Sequence, residues 1–487
     1  MKLNKILEGL EVKETVNDLN LDITNIHSDS RKIKEGGLFI AIKGYLQNGI
    51  DYLDSAISNG AVAAIIENDV DISKLPQTIT YIKAGDTRKA LAITNCNLYD
   101  NPSKKFKLIG VTGTKGKTTT TYMIKTLLEA QGKKVGLIGT IENYIGEDSL
   151  GESDRTTPES IDLQRMFAQM VEEKVEFVVM EVSSQALKLQ RVAGCNFDVG
   201  VFTNFSKEHI SQKEHSDMEE YFNSKMKLFS MCQMGFVNID DFRGARVKRE
   251  AKCQVKTYGI DNGCDLLAKD ITITNIGVDF KAKIGDKNER VKVDIPGRFS
   301  VYNSLAAISV AMYYGCSAEL IKTALENIKI PGRSELVPNK KELSIMIDYA
   351  HSPESLENIL QAVKTYTKGR VIVVFGCGGD RDTTKRPIMG EIAGRIADYS
   401  IVTSDNPRTE DPEKIIKDIE AGISKTKGKY EIIVDRKKAI EKAITMANKK
   451  DIVILAGKGH EPYQEINKVK YPFDEREIVK EIINNMK

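Results

Sequence analysis

The chain has 487 residues, 41% hydrophobic and 29% charged, with 71 Lys and Arg against 69 Asp and Glu for a net charge of +2. That length calls for two to four globular domains at roughly 100–200 residues each, and the near balance of charge removes the electrostatic reason to expect nucleic acid as a partner. Met1–Gly9 has no apolar core or small-residue cleavage site, no stretch approaches the ~20 apolar residues of a membrane span, and seven scattered cysteines show no Cys-x-x-Cys pair, so a cytoplasmic protein with reduced thiols and neither signal nor span is expected.

Taken in chain order, residues 1–105 read as a small mixed α/β segment ending at Tyr99-Asp100-Asn101-Pro102. A second block, 106–330, opens with the apolar run Lys107–Val111 and continues through Val135–Ile138, Phe177–Met180 and Val199–Phe202. A third, 331–487, follows Ile330-Pro331-Gly332-Arg333 and carries Ile345–Ile347, Val371–Phe375, Tyr399–Thr403 and Ile452–Leu455. Short apolar runs bounded by Gly, Asp or Asn suit strands buried on both faces. Amphipathic stretches follow several of them, at Thr118–Gln131, Ser352–Thr367 and Arg386–Ala397. That alternation predicts an α/β chain of three domains: a small mixed one, a central parallel sheet and a C-terminal Rossmann-like α/β domain.

Behind the run Lys107–Val111 stands Gly113-Thr114-Lys115-Gly116-Lys117-Thr118-Thr119, with a helix pattern after it. Glycines let backbone N–H groups curl around a phosphate, and the helix N-terminus adds partial positive charge. Lys117 is expected on the β- and γ-phosphates and the Thr118 hydroxyl on Mg²⁺. Counted from Gly113 the glycine spacing is shorter than Gly-x-x-x-x-Gly-Lys-[Ser/Thr], and from Gly110 longer, so the match is to a variant of the ATP-binding P-loop. A glycine turn with a capping Thr run is the bland alternative, disfavoured by the strand–loop–helix context. Two further strand ends carry ligand groups: Glu181 after Phe177–Met180 and His209 after Val199–Phe202. Ligands in open α/β sheets gather at the carboxyl ends of strands. A carboxylate and an imidazole beside a nucleotide phosphate suit a second Mg²⁺, although taken singly Glu181 reads equally well as a helix cap and His209 as a surface residue.

These segments, with Glu181-Val182-Ser183-Ser184, Thr203-Asn204 and Asp348-Tyr349-Ala350-His351-Ser352-Pro353, resemble the Mur ligases of peptidoglycan synthesis. Ser28-Asp29-Ser30-Arg31, Gly378-Gly379-Asp380-Arg381, Asp405-Asn406-Pro407-Arg408 and Gly457-Lys458-Gly459-His460-Glu461 extend the likeness from about residue 28 to 461. They resemble most the branch that adds the third amino acid, meso-diaminopimelate or L-lysine, to UDP-N-acetylmuramoyl-L-alanyl-D-glutamate. The loop departs from the family at Lys115, where Asn is common, and Gln185 stands where His is common.

The resemblance implies an ATP- and Mg²⁺-dependent ligase working as a monomer on small-molecule substrates through an acyl phosphate. It implies ATP contacts from Gly113 to Thr119 and from Asn303, Arg333 and Asp348. Thr118, Glu181, His209 and Lys225 would serve the metal, with Lys225 carbamylated and Lys117, His209 and Lys225 acting in catalysis. Ser28, Ser30, Thr156, Thr157, Ser184 and Arg191 would line the UDP-muramoyl-dipeptide. The amino acid falls to Arg381, Asp405, Asn406, Arg408, Gly457 and Glu461. Arg408 matches the diaminopimelate form of its motif, and the physics agrees, since a guanidinium fork can grip the second carboxylate that lysine lacks. A surface turn arginine is the alternative reading of Arg408. Against rival classes, Ser28–Arg31 disfavours a folylpolyglutamate synthase, and Glu181 in place of a strand-end Asp disfavours a P-loop ATPase of another kind.

Overall fold

In the computed structural model, which describes residues 1–486 except Tyr45, Leu46, Ser153, Asp154, His209, Gln212 and Lys213, the chain forms two units. One comprises Met1–Leu267 with Ala306–Cys316, the other Ala268–Leu305 with Ser317–Lys487. All eight apolar runs form strands whose ends lie within two residues of expectation. The three expected helices form as Lys117–Ala130, Pro353–Lys364 and Lys385–Ile396. The second stops short of Thr367, where the Thr365 and Thr367 hydroxyls donate to the carbonyls of Ala362 and Val363 and satisfy the helix end with side chains.

The first unit holds two sheets. Its N-terminal sheet runs Val12–Val16, Thr80–Ala84, Ala61–Glu67, Gly37–Ile40, Asn25–His27, with only the first pairing antiparallel. Residues alternate between two cores: Leu38, Ile40, Ala63 and Ile65 face one, Phe39, Ala41, Ala64 and Ile66 the other. In the central sheet, Lys107–Thr112 lies between Phe177–Glu181 and Phe197–Phe202, parallel to both. Val135–Ile138 flanks the first neighbour, and Cys232–Asn238 then Gln254–Gly259 the second, all parallel. Gly110 is needed at the sheet centre because a Cβ there would stand 2.7 Å from the Phe197 ring.

In the second unit the sheet order is Glu335–Leu336, Ser344–Asp348, Ile452–Ala456, Val371–Phe375, Tyr399–Val402, Tyr430–Ile432, parallel after the first pair. Two cores cover its faces. Val371, Val373, Ile452 and Ile454 pack with helices Pro353–Lys364, Lys385–Ile396 and Pro412–Ile423, whereas Ile372, Val374, Val453 and Leu455 pack with Arg436–Met446 and Glu475–Asn485. Helices on both faces explain why these strands are apolar throughout. By contrast, the antiparallel ladder Val278–Ile284 with Lys287–Val293 buries one face only (Val278, Phe280, Ala282, Ile284), so its residues alternate and no apolar run marks it. No helix among the described residues is long and apolar enough to cross a membrane.

Helices Lys385–Ile396 and Pro412–Ile423 touch backbone to backbone at Gly422, where an added Cβ would sit 1.8 Å from the Pro387 carbonyl oxygen. Gly422→Ala is therefore expected to destabilise the second unit by about 2 kcal/mol through overpacking, read as a lowered urea midpoint.

Candidate functional site

The register of three parallel strands brings their carboxyl ends level: Glu181 pairs with Val111, and Phe202 with Thr112. The phosphate loop rises from the middle strand. Gly113 has φ +150°, and a Cβ on it would lie 1.9 Å from the Thr203 hydroxyl, so only glycine lets the loop lie against the neighbouring strand end. Asn204 staples the loop from that side. Its side-chain oxygen accepts from Lys115 N at 2.8 Å, its amide donates to the Lys115 carbonyl at 3.0 Å, and its own carbonyl accepts from Thr114 N at 2.9 Å. The helix begins at Lys117 behind Gly116 (φ +81°), with no side chain capping it. Its first-turn N–H groups thus face the loop, an arrangement suited to phosphate oxygens.

Two lysine amines converge on one carbonyl. Lys117 Nζ donates to Gly113 O at 3.0 Å and to Thr114 O at 2.9 Å, while Lys225 Nζ donates to the same Gly113 O at 2.7 Å. Lys225 is 2% exposed and lies 4.5 Å above the Tyr221 ring, and that phenol shares a hydrogen bond with the Thr114 hydroxyl. Burial, then the Lys117 charge, push the Lys225 amine well below the usual lysine range, with Glu208 opposing. Glu208 itself pairs with Lys115 at 2.6 Å. The sequence places Lys115 among the ATP contacts and gives Glu208 no role; their pairing depends on where the 205–208 segment folds back.

Glu181 is buried beside the loop. It accepts from the Thr118 hydroxyl at 3.0 Å, from Thr140 N at 2.8 Å and from the Thr140 hydroxyl at 3.1 Å, and Thr156 bonds that Thr140 hydroxyl at 3.1 Å. One carboxylate among hydroxyls is a hard-oxygen donor set. It fits Mg²⁺, which keeps several waters and takes one or two carboxylates together with phosphate oxygens. Among the described residues no group of three or more His, Cys, Asp or Glu gathers for a dedicated metal cage, and His209 lies outside the described residues. Thr140 was missed in the sequence, yet it follows the strand Val135–Ile138 and obeys the same strand-end rule.

Ser28 and Arg191 line one cavity of about 340 Å³ in the first unit, with His27, Lys32, Arg88 and Glu159. Arg191 is buried, donates to the Thr157 carbonyl at 3.2 Å and pairs with Glu159 at 2.9 Å. Thr157 in turn donates to the Glu181 carbonyl at 2.8 Å, so a continuous bonded path leads from the cavity to the Glu181 strand end. Ser184 meets the buried His215 ring at 2.9 Å. Ser30 is buried outside this lining, its carbonyl accepting from Asn59. Arg88 and Lys32 carry no motif, which is why they escaped notice.

In the second unit the remaining residues stand at strand ends too. Asp348 closes its strand, accepting from Ser334 N and Ala350 N at 2.8 and 2.9 Å, and burial raises its pKa. The Arg333 guanidinium lies 4.8 Å from the Tyr349 ring centre, and Asn303 is buried in helix Arg298–Tyr313. Beyond Tyr399–Val402, Asn406 donates to Glu461 at 2.7 Å and accepts from the fully buried Lys458 at 2.9 Å. Burial pushes the Glu461 carboxyl up, against the pull of Lys458. Burial also pushes Asp405 up, but Lys458 and Arg436 outweigh it and hold that carboxyl below the usual range. Gly457 (φ +116°) lets Asp405 approach, since a Cβ there would be 2.6 Å from Oδ2. Arg408 donates to the Gly379 carbonyl at 2.7 Å and Thr409 to Asp380 at 2.6 Å, which docks the loop bearing the exposed Arg381 against the Asp405–Arg408 turn. A larger cavity of about 980 Å³ opens around Arg370, Asp398 and Lys429. Those residues precede their strands, so it lies at the amino ends, away from this chemistry.

The depressed Lys225 pKa has a stability consequence. Between the folded value and the unfolded one near 10.5, the unfolded chain binds the extra proton, so folding gains stability as pH rises through that window and loses it as pH falls. Lys225→Met is expected to be more stable than the parent at neutral pH in CO₂-depleted buffer. The gap should close toward pH 10.5 in urea titrations, and a gap independent of pH would show that the amine is not desolvated.

Comparison with known proteins follows this geometry. Three family profiles match in order: Mur ligase family, catalytic domain, over residues 22–96; Mur ligase middle domain over 111–311; and Mur ligase, glutamate ligase domain, over 332–459. The chain is 49% identical over 484 residues, 99% of each chain, to the UDP-N-acetylmuramoyl-L-alanyl-D-glutamate--2,6-diaminopimelate ligase of Caldanaerobacter subterraneus subsp. tengcongensis. It is 46% identical, over the full length of both, to such a ligase of Clostridium acetobutylicum. A solved structure of a ligase with the same name superposes with a TM-score of 0.73 at 30% identity, covering 99% of each chain. A MurF ligase from Thermotoga maritima in complex with ADP shares the fold at TM-score 0.58, 20% identity and 90% and 94% coverage. With these matches spanning both units and every motif described above, the chain belongs to the Mur ligase family.

Proposed function

We propose that the protein joins meso-diaminopimelate to UDP-N-acetylmuramoyl-L-alanyl-D-glutamate at the expense of ATP. The observation that carries this reading is Arg408, held by the Gly379 carbonyl two residues beyond the Asn406 that bonds Glu461, in the unit that also bears the exposed Arg381. Relatives named for this reaction at 49% and 46% identity over the whole chain support it.

Formation of an amide from a carboxylate and an amine needs the acid activated. The γ-phosphoryl group passes to the D-glutamate carboxylate, and the diaminopimelate amine then attacks the acyl phosphate, releasing phosphate and one proton. Such transfer is catalysed by positioning and charge neutralisation. The N–H groups of Gly113–Thr119 cradle the phosphates, Lys117 turns from the loop carbonyls to the transferred group, and Asn303, Arg333 and Asp348 take the rest of the nucleotide. Thr118 and Glu181, with His209 and Lys225, hold Mg²⁺, which when bound neutralises charge on the phosphates. Lys225 would do so as a carbamate: its desolvated amine favours the neutral form, whose nitrogen bonds to the carbon of CO₂ and releases one proton to solvent, leaving an anion. Ser28, Ser30, Thr156, Thr157, Ser184 and Arg191 hold the UDP-muramoyl-dipeptide. Arg408 and Arg381 hold the carboxylates of diaminopimelate, while Asp405, Asn406, Glu461 and the Gly457 carbonyl take its ammonium groups. The proton of the attacking amine passes to a solvent chain, or to His209 where that ring does not ligate the metal. The same reading divides the chain at about 105 and 330, in keeping with profile matches at 22–96, 111–311 and 332–459, and has it act as a cytoplasmic monomer.

The test supplies ATP, Mg²⁺ and the UDP-muramoyl-dipeptide with either diaminopimelate or L-lysine and reads product mass. Product is expected with diaminopimelate alone, and Arg408→Ala should lower kcat/KM for it about 100-fold or more, as truncation of a buried charge partner does. Product with lysine instead would keep the ligase chemistry and overturn the role of Arg408; ATP hydrolysis without product would overturn both. In a second assay, stripping CO₂ from the buffer should depress activity and added bicarbonate restore it in the parent. Lys225→Glu, already anionic, should be indifferent to bicarbonate.

A further inference from the structure

The hairpin Tyr463–Ile466/Val469–Pro472 follows the last strand of the second unit's sheet and pairs with none of that sheet's strands. Its first strand instead reads the Asp405–Arg408 turn residue by residue. Gln464 donates to the Asp405 carbonyl at 2.7 Å, and Glu465 N donates to the Asn406 side chain at 2.9 Å. Arg408 N donates to the Glu465 carbonyl at 3.0 Å, and Asn467 N to the Arg408 carbonyl at 2.7 Å. Arg408 holds φ +52°, a left-handed conformation that costs a non-glycine residue energy and persists where surrounding bonds impose it. The side chain is engaged as well: Arg408 Nε donates to Glu465 Oε2 at 3.0 Å and one terminal nitrogen to the Gly379 carbonyl at 2.7 Å.

From this geometry we propose that Glu465 is a positioning residue that sets preference for an amino acid with a second, distal carboxylate. The inference rests on the reading above, that Arg408 grips that carboxylate. A guanidinium offers five N–H donors in a rigid fork. Glu465 takes the Nε side and Gly379 one terminal N–H, so the fork is fixed in plane and in rotation; for the other terminal nitrogen no partner is found among the described residues, and the turn that carries it also bears the Asn406–Glu461 pair. Arg408 is 20% and Glu465 23% exposed at the side chain, so solvent only partly screens the pair and the bond orients rather than floats. Without Glu465, the arginine regains its rotamers, and part of the cost of ordering it falls on the binding of substrate. The arginine keeps its charge and loses a neighbouring anion, so attraction for a carboxylate does not weaken, and a loss of affinity reports lost geometry.

The experiment compares the parent with Glu465→Gln, Glu465→Ala and Glu465→Asp in the product-mass assay, titrating diaminopimelate, L-lysine, ATP and the UDP-muramoyl-dipeptide separately. Expected is a rise of about tenfold in KM for diaminopimelate with Glu465→Ala, a smaller one with Glu465→Gln, which keeps an acceptor for Nε, and shifts under twofold in KM for the two nucleotides. The ratio of diaminopimelate to lysine use should fall by the same factor. A general loss of folding would move all the KM values or kcat together, and thermal midpoints recorded on each variant separate that case. If KM for diaminopimelate falls in Glu465→Ala, Glu465 competes with the substrate carboxylate for Arg408 and the proposal is overturned; it is overturned equally if selectivity is untouched. Failure of the parent to use diaminopimelate would instead remove the reading beneath it, a result visible before any variant is made.

Discussion

Parallel pairing of Lys107–Thr112 with both of its neighbours is the constraint on which the nucleotide end of the molecule depends. Parallel strands deliver all their carboxyl ends to one edge, so a carboxylate and an Asn reach the loop from 63 and 89 residues further along the chain. The register is unforgiving because the strands are buried on both sides and glycine-packed: Gly110 pairs with Gly200 and lies under Phe197. Slipping one strand by a residue would turn its side chains to the other face and take Glu181 away from Thr118.

On that edge the loop is crowded with positive charge. Lys115, Lys117 and Lys225 surround a few backbone atoms, and Glu208 is the acid that offsets them. Such a cluster is costly in an apo protein and suited to a polyanion. Loop carbonyls accept from Lys117 and Lys225 meanwhile. Burial of Lys225 is the costlier arrangement, and its consequence is an amine biased toward the neutral form where an exposed lysine would be protonated.

At the amino-acid end, strand ends supply positions and a separate hairpin supplies orientation. Asp405, Asn406 and Gly457 follow from strands Tyr399–Val402 and Ile452–Ala456, while the buried Arg436 ties those two ends together by donating to the Ala456 carbonyl at 2.9 Å and to the Ser404 carbonyl at 3.5 Å. Arg408 points as it does because Glu465 and Gly379 hold it, and neither contact is local in sequence.

Apolar runs sufficed to read off the α/β class and eight strands of the two larger sheets, but not Cys232–Asn238, Gln254–Gly259 or Tyr430–Ile432, which mix polar residues into their patterns; Gly113–Thr119 marked the loop between strand and helix. They do so because a strand buried on both faces must be apolar and a phosphate loop must be glycine-rich, constraints that act residue by residue. Ser30 shows the limit from one side: it belongs to a motif, yet it is buried outside the cavity lining while its neighbour Ser28 lines it. Lys32, Arg88, Thr140, Glu208 and Glu465 show it from the other, since each is an ordinary polar residue until folding sets a partner beside it. Sequence alone therefore determined which groups were available; tertiary structure decided which of them meet, because hydrogen bonds and ion pairs act over about 3 Å and the residues that make them here lie tens of positions apart.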